Sequence, residues 1–222
     1  MQQQVRISAI KKITHDVLQI RTEKPPGLTF VPGQATELSI NKEGWREEKR
    51  PFTFTSLPQE EQLEFTIKTY PSHEGVTAQL LELEPGDSLL LHDVFGAIAY
   101  KGEGVFIAGG AGVTPFISIF RHLKARGEVG SNKLIFANNT SSDIILEEEF
   151  RSLLNGNFIN ILSQEESADY LSGYITRDLL KEQLPETNPY LYLCGPPPMM
   201  ETVEQQLKEL NVDKERLVTE EF

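Results

Sequence analysis

The period of the apolar residues changes partway along this chain, and that change excludes one continuous layer of a single type. Up to about Tyr100 the pattern is a two-residue alternation. Val5 and Ile7 alternate, and Leu63, Phe65 and Ile67 alternate with Glu64, Thr66 and Lys68. Leu38-Ser39-Ile40 and residues 88–94 add short strands, punctuated by Pro25-Pro26-Gly27, Pro32-Gly33 and Pro85-Gly86. Short strands at this spacing predict a small antiparallel barrel or sandwich, with one helix inserted over 77–83. Beyond 100–104 the pattern becomes short apolar runs at 105–108, 134–137, 158–162 and 190–194. Helix-like stretches lie between them near 115–125, 144–154 and 176–184. Met199, Val203, Leu207 and Leu210 then form one stripe at helical spacing. Strands alternating with helices predict a parallel sheet built from βαβ units. The expected fold is an antiparallel β-barrel over 1–101 followed by an α/β parallel-sheet domain over 102–222.

The 222 residues suffice for two small domains. Charge is uneven. Residues 1–101 carry 11 Lys and Arg against 14 Asp and Glu, a net of −3; residues 102–222 carry 10 against 19, a net of −9. A surface of that sign repels a phosphate backbone, so no nucleic-acid partner is expected. The single cysteine, Cys194, excludes a disulfide within the chain and a four-cysteine cluster. Met1-Gln2-Gln3-Gln4 is followed by no apolar leader, and the longest uncharged run, 104–120, is broken by glycines, Thr114 and Pro115. No membrane span and a cytoplasmic setting are the expectations.

Two segments carry chemistry. Val105-Phe106-Ile107-Ala108 runs into Gly109-Gly110-Ala111-Gly112-Val113-Thr114-Pro115 and then a helix. Glycines let backbone approach a ligand closely, and a helix start offers free N–H groups to an anion such as a diphosphate. Pro115 suits a first helical turn. A tight turn with no ligand satisfies the same spacing. Arg50-Pro51-Phe52-Thr53-Phe54-Thr55-Ser56 combines a fixed cation, aromatic rings and hydroxyls between two strands. Alternation sets Phe52 and Phe54 on one face and Thr53 and Thr55 on the other. Its arginine can clamp a phosphate, although an ordinary strand with one solvated arginine reads the same.

These motifs, with two more, resemble the ferredoxin–NADP reductase superfamily along essentially the whole chain. Arg50-Pro51-Phe52-Thr53 is similar to the flavin signature Arg-x-Tyr-Ser/Thr. Gly75-Val76-Thr77 is similar to the flavin phosphate loop. Gly110 to Pro115 resembles the nicotinamide dinucleotide turn, and Cys194-Gly195-Pro196-Pro197-Pro198-Met199 resembles the Cys-Gly-Pro-x-x-Met segment beside the nicotinamide. The resemblance implies that Arg50, Gly75, Val76 and Thr77 hold flavin phosphate. It implies that Phe52, with Pro51, packs at the isoalloxazine without the usual tyrosine hydroxyl, and that Thr53 approaches flavin N5. Gly110, Gly112, Val113, Thr114 and Pro115 would contact the nicotinamide cofactor, with Cys194, Gly195, Pro196 and Met199 near its ring. Val218-Thr219-Glu220-Glu221-Phe222 is similar to tails ending in Val-Glu-x-Tyr, so Phe222 would cover the flavin and Glu220 would lie at its edge.

The implied reaction passes a hydride from NADH or NADPH to bound FAD, with FMN also open. Electrons then leave singly to a separate carrier such as ferredoxin or flavodoxin. Catalytic roles are implied for Thr53, Cys194 and Glu220. Ser163 is followed by Gln164 and Glu165, with no cation for a 2′-phosphate, which leans to NADH; Arg121 or Arg126 could still reach the site. Lys11, Lys12, Lys42, Arg46 and Lys49 are the candidates for a basic docking patch. Two alternatives stay open: a free-flavin reductase, and a non-catalytic flavin- or nucleotide-binding subunit. The −9 half receives an anionic dinucleotide on this reading, so its acidity is expected away from Gly110.

Overall fold

The computed structural model describes residues 2–96, 98–185 and 188–219. Among them, two six-stranded sheets form. The first contains β1 (Gln3–Lys12), β2 (Val17–Glu23), β3 (Ala35–Ile40), β4 (Arg50–Thr53), β5 (Gln62–Lys68) and β6 (Ser88–Phe95), in the order β4-β3-β6-β1-β2-β5. Every pairing is antiparallel. The two edges meet where Phe54 bridges Phe65 and Thr55 N–H donates to the Glu64 carbonyl at 2.8 Å, which curls the sheet into a barrel. Leu63, Phe65 and Ile67 point into it, beside Phe54, whose ring stacks on Phe30 at 4.2 Å. Trp45, in the β3–β4 loop, lies partly buried against the same core.

The expected helix over 77–83 is two pieces. α1 (Val76–Gln79) makes one α turn, and a 3-10 turn over Leu80–Glu82 continues it until Leu83 returns to extended backbone. Val76 and Leu80 are the buried anchors, four residues apart, so one turn plus the tighter continuation suffices to seat both.

The second sheet contains β7 (Gly104–Gly109), β8 (Lys133–Asn138), β9 (Phe158–Leu162), β10 (Leu171–Ser172), β11 (Tyr190–Cys194) and β12 (Leu217–Thr219), all parallel, in the order β10-β9-β8-β7-β11-β12. Its helices are α2 (Thr114–Arg126), α3 (Glu147–Leu154), α4 (Arg177–Gln183) and α5 (Pro197–Glu209). β7 is buried on both faces. Phe106 and Ala108 pack with α2 and α3, while Val105 and Ile107 pack with α4 and α5. That double burial explains its continuous apolar run. α2 stops at Gly127, left-handed at φ +68°, whose N–H bonds back to Lys124 O at 3.0 Å. The helix expected from residue 144 begins only at Glu147. Thr140 and Asp143 cap a 3-10 turn first, and Leu146 turns left-handed at φ 52°. Sequence reading did not find β10 or β12.

A ladder of Tyr100, Phe106 and Tyr192 rings runs through this half, with Phe106 and Tyr192 centroids 4.1 Å apart. The Tyr192 hydroxyl donates to Gly102 O at 2.8 Å and accepts from Lys101 N at 2.9 Å and Gly102 N at 3.1 Å. Burial pushes its pKa up to about 12. Strand order reverses between β7 and β11. A crevice opens outside the carboxyl ends of strands at such a reversal.

Candidate functional site

Two motifs far apart in sequence form one wall at that reversal. Ala108 pairs with Cys194 across the two strand ends. Gly110 follows at φ +49°, a backbone that a side chain adopts only with strain, and a 3-10 turn over Gly110–Val113 leads into α2. A Cβ on Gly112 would collide with the Cys194 carbonyl and stand 2.6 Å from Gly195 Cα. A Cβ on Gly109 would stand 2.5 Å from Met199 Sδ and 2.9 Å from Pro196 Cδ. The glycines thus serve close backbone approach as much as turning. Val113 and Pro115 are buried beneath the turn, and Thr114 donates its hydroxyl to Ala111 O at 3.0 Å. Cys194 is 8% exposed and belongs to the core on the α2 side.

On the barrel, β4 carries the Arg50-Pro51-Phe52-Thr53 segment along β3, with Thr53 opposite Ala35. Phe52 packs partly buried on the barrel core, while Arg50 is half exposed and bonded within its own loop, to Lys49 O at 2.6 Å. Gly75 precedes α1 with open space where a Cβ would stand; Val76 is buried and Thr77 half-buried. Thr53 Oγ1 lies 3.4 Å from Thr114 Oγ1, so the barrel motif touches the glycine turn directly. Glu220 and Phe222 lie outside the described residues. β12 brings the chain as far as Thr219, paired with Leu193.

The sequence did not reveal what holds these halves together. Thr114, Ser118 and Arg121 fall on one face of α2, and each meets the barrel. Ser118 Oγ accepts from Gly33 N at 3.0 Å. Arg121 donates to both oxygens of Glu149 at 2.6 and 2.8 Å, to Glu64 Oε1 at 2.7 Å and to Thr55 O at 2.9 Å. Glu64 also accepts from Arg21 at 3.0 Å and from the Thr55 hydroxyl at 3.1 Å. Burial pushes the Glu64 carboxyl up, but the Arg121 and Arg21 guanidiniums outweigh it and hold it below the usual range. For Arg121, burial works against the cation and the two carboxylates overcome it, raising its pKa. Glu64 and Thr66, which alternate with the apolar residues of β5, are both buried, Glu64 under Arg121 of α2 and Thr66 with its hydroxyl 3.3 Å from that of Thr55. A second group bridges the halves at Lys68, 2.9 Å from Asp16 and 3.9 Å from Asp143, with His15 3.7 Å from both carboxylates. The usable signal was a set of polar residues at spacing four and three on a helix whose other residues from Pro115 to Phe120 are apolar.

Arg121 is therefore committed to the domain interface, and Arg126 pairs with Glu128 at 2.7 Å, so neither is a free cation for a nucleotide phosphate. Glu165 accepts from Ser141 N at 2.7 Å and Ser141 Oγ at 2.9 Å. The five basic candidates form no single patch. Lys42 bonds Asp87 at 3.1 Å, next to Ser88, which pairs with Arg6, whereas Lys11 and Lys12 pair with Gln19 and Leu18. Six residues of strand, about 20 Å, separate Arg6 from Lys12.

Residues 2–86 match the family model of an FAD-binding domain, and residues 106–205 match that of an oxidoreductase NAD-binding domain. Together the two models span most of the chain, which has the fold of the ferredoxin reductase-like superfamily. Among its relatives is the reductase component of propane 2-monooxygenase from Rhodococcus jostii, 30% identical over 98% of this chain and 62% of that protein. NADH-cytochrome b5 reductase 2 of Mycosarcoma maydis is 28% identical over 89% of this chain and 62% of that one. The chain thus spans about three fifths of the length of these relatives. A ferredoxin NADP+ reductase from Neisseria gonorrhoeae, solved with FAD and NADP, shares the fold at a TM-score of 0.84 and 20% identity, covering 98% of this chain and 97% of that one. The residues present fit both groups of this superfamily. Gly75 and Gly110 each leave open space where a Cβ would stand, and the half-exposed Arg50 guanidinium flanks the barrel site. Among the described residues no helix is long and apolar enough to cross a membrane.

Proposed function

We propose that this chain is a flavoprotein reductase in which residues 1–101 hold FAD and residues 102–222 hold the reduced nicotinamide. When bound, FAD supplies the chemistry, accepting a hydride from the nicotinamide and releasing electrons singly to a separate carrier. The observation that carries the reading is the 3.4 Å approach of Thr53 Oγ1 to Thr114 Oγ1, which joins the barrel motif to the glycine turn. On this reading Arg50 and the Gly75, Val76 and Thr77 turn hold flavin phosphate, while Pro51 and Phe52 line the ring. Thr53 offers its hydroxyl at N5. Gly110, Gly112, Val113 and Thr114 receive the dinucleotide by backbone N–H groups, while Pro115, which has none, sets the first turn of α2 behind them. Cys194, Gly195, Pro196 and Met199 close the far wall and exclude water from the transfer path. Glu220 and Phe222 are assigned to the flavin edge from the sequence motif alone. No residue acts as a nucleophile; the protein's part is alignment, which can supply several kcal/mol of the barrier.

NADH is the favoured reductant, because Glu165 is an anion where a 2′-phosphate would need a cation and Arg121 is committed to the domain interface. The acceptor is a ferredoxin, a flavodoxin or, by analogy with the Rhodococcus relative, an oxygenase component, and the setting is the cytoplasm, where a lone thiol stays reduced. The test is spectroscopic. The protein should be yellow after loading with FAD, and NADH should bleach it without oxygen. A protein that stays colourless after loading sinks the reading. Turnover of added flavin with no protein acceptor and no retained FAD points to free-flavin reduction instead.

A further inference from the structure

We propose that Arg121 is a positioning residue that holds the Thr53 end of the barrel against the glycine turn and so fixes the separation of the two half-sites. The inference rests on the reductase reading above. One guanidinium joins four segments: α2, which carries it; α3, through both oxygens of Glu149; β5, through Glu64; and the segment after β4, through the Thr55 carbonyl. Thr55 is two residues beyond Thr53, and its hydroxyl is tied to the same Glu64 carboxylate. Arg121 stands seven residues beyond Thr114, about 10.5 Å along one rigid helix. The helix that begins at the glycine turn therefore grips the Thr53–Thr55 segment at two points, Thr114 at the Thr53 hydroxyl and Arg121 at the Thr55 carbonyl.

The planar fork is what this geometry needs. Four donor contacts in three directions are within reach of a guanidinium, whereas a lysine ammonium is a point charge on a flexible stem and cannot make the paired bonds to Glu149 together with the carbonyl. Removing Arg121 does not strand Glu64, which keeps Arg21 at 3.0 Å, so the variants are expected to fold. They lose the Arg121 bonds between barrel and helix and keep those of Thr114 and Ser118.

The experiment compares wild type with Arg121→Lys and Arg121→Gln, and with Glu149→Gln as a milder variant that leaves the arginine and its barrel bonds in place. Amide hydrogen exchange is followed with and without FAD, and the FAD-loaded proteins are mixed with NADH without oxygen. In both Arg121 variants FAD should stay bound and KM for NADH should change less than threefold. The bleaching rate should fall tenfold or more. The long-wavelength charge-transfer absorbance of the flavin–nicotinamide pair should lose at least half its amplitude, and exchange at residues 54–56 should rise at least fivefold. Glu149→Gln should give a smaller change in the same direction. Rates, absorbance and exchange within twofold of wild type would overturn the proposal, and so would full rescue by lysine. If wild type takes up no FAD, the reductase reading fails by itself. Exchange in the FAD-free chain still decides the clamp, and unchanged protection at 54–56 in Arg121→Gln refutes it.

Discussion

Gly112→Ala tests whether the crevice depends on bare backbone contact. The new Cβ would run into the Cys194 carbonyl and carbonyl carbon and stand 2.6 Å from Gly195 Cα. All of these are backbone atoms, so no rotamer change relieves the overlap. Carbon contacts settle near 3.5–4.0 Å, so the turn must retreat from the end of β11 by about 1 Å. Overpacking of this kind costs roughly 1–3 kcal/mol, which for a chain of this size lowers Tm by about 2–12 °C. A displacement of about 1 Å can also cost on the order of a hundredfold in a positioned reaction. Gly110→Ala is the contrast. Its Cβ meets nothing within 4 Å, and its φ of +49° costs about 1–2 kcal/mol of local strain without pushing on β11. Calorimetry gives Tm, and anaerobic mixing of the FAD-loaded proteins with NADH gives the bleaching rate. Gly112→Ala should lose far more of that rate than Gly110→Ala at similar stability. Equal rates in the two variants would show that the contact between the turn and Cys194 does not govern the site.

Three further outcomes are expected. Thr53→Ala should keep its FAD while bleaching by NADH slows about tenfold, the scale of one hydrogen bond; loss of the flavin itself would contradict the role given to Thr53. Glu64 has a folded pKa held below 4.5, so its stabilisation is full above about that pH and drains away as pH falls through the lowered value. Glu64→Gln should therefore be less stable at neutral pH and show a flatter fall of Tm between about pH 5 and 3, and parallel profiles would refute this account of acid sensitivity. Tyr192→Phe leaves two backbone N–H groups and a carbonyl without the hydroxyl that serves them, which should cost about 2–4 kcal/mol in denaturant titration. A loss under 0.5 kcal/mol would mean that water replaces the hydroxyl, on the order of an exposed substitution.

The sequence made the two architectures legible because burial imposes its period directly. β1 is buried at Val5 and Ile7 and exposed at Arg6 between them, and β7 is buried throughout. The glycine turn was legible for a similar reason, since close approach restricts residue type. The missed features depend on partners distant along the chain. β10 and β12 are two and three residues long, too short to show any period, and exist only because β9 and β11 offer edges. Arg121 reads as a cation that could reach the nucleotide site until β5 is laid beside it, 57 positions away. The burial of Glu64 was hidden for the same reason, since alternation marks polarity and cannot say that an arginine of the second domain covers the carboxylate. Ile144, Ile145 and Leu146 are apolar enough to extend a helix, but Asp143 closes the preceding cap and the acidic run Glu147, Glu148 and Glu149 fixes the start three residues later.

The aromatic residues are divided between the halves in a way that separates two optical signals. The chain's one tryptophan, Trp45, rests on the barrel core, whereas the Tyr100, Phe106 and Tyr192 ladder lies in the parallel-sheet half. Tryptophan emission from the flavin-free chain therefore follows the barrel alone, and the near-ultraviolet dichroism of the stacked tyrosines follows its neighbour. One unlabelled sample thus carries an independent reporter for each domain, so a denaturation that loosens only one of them shows up as two curves that fail to superimpose.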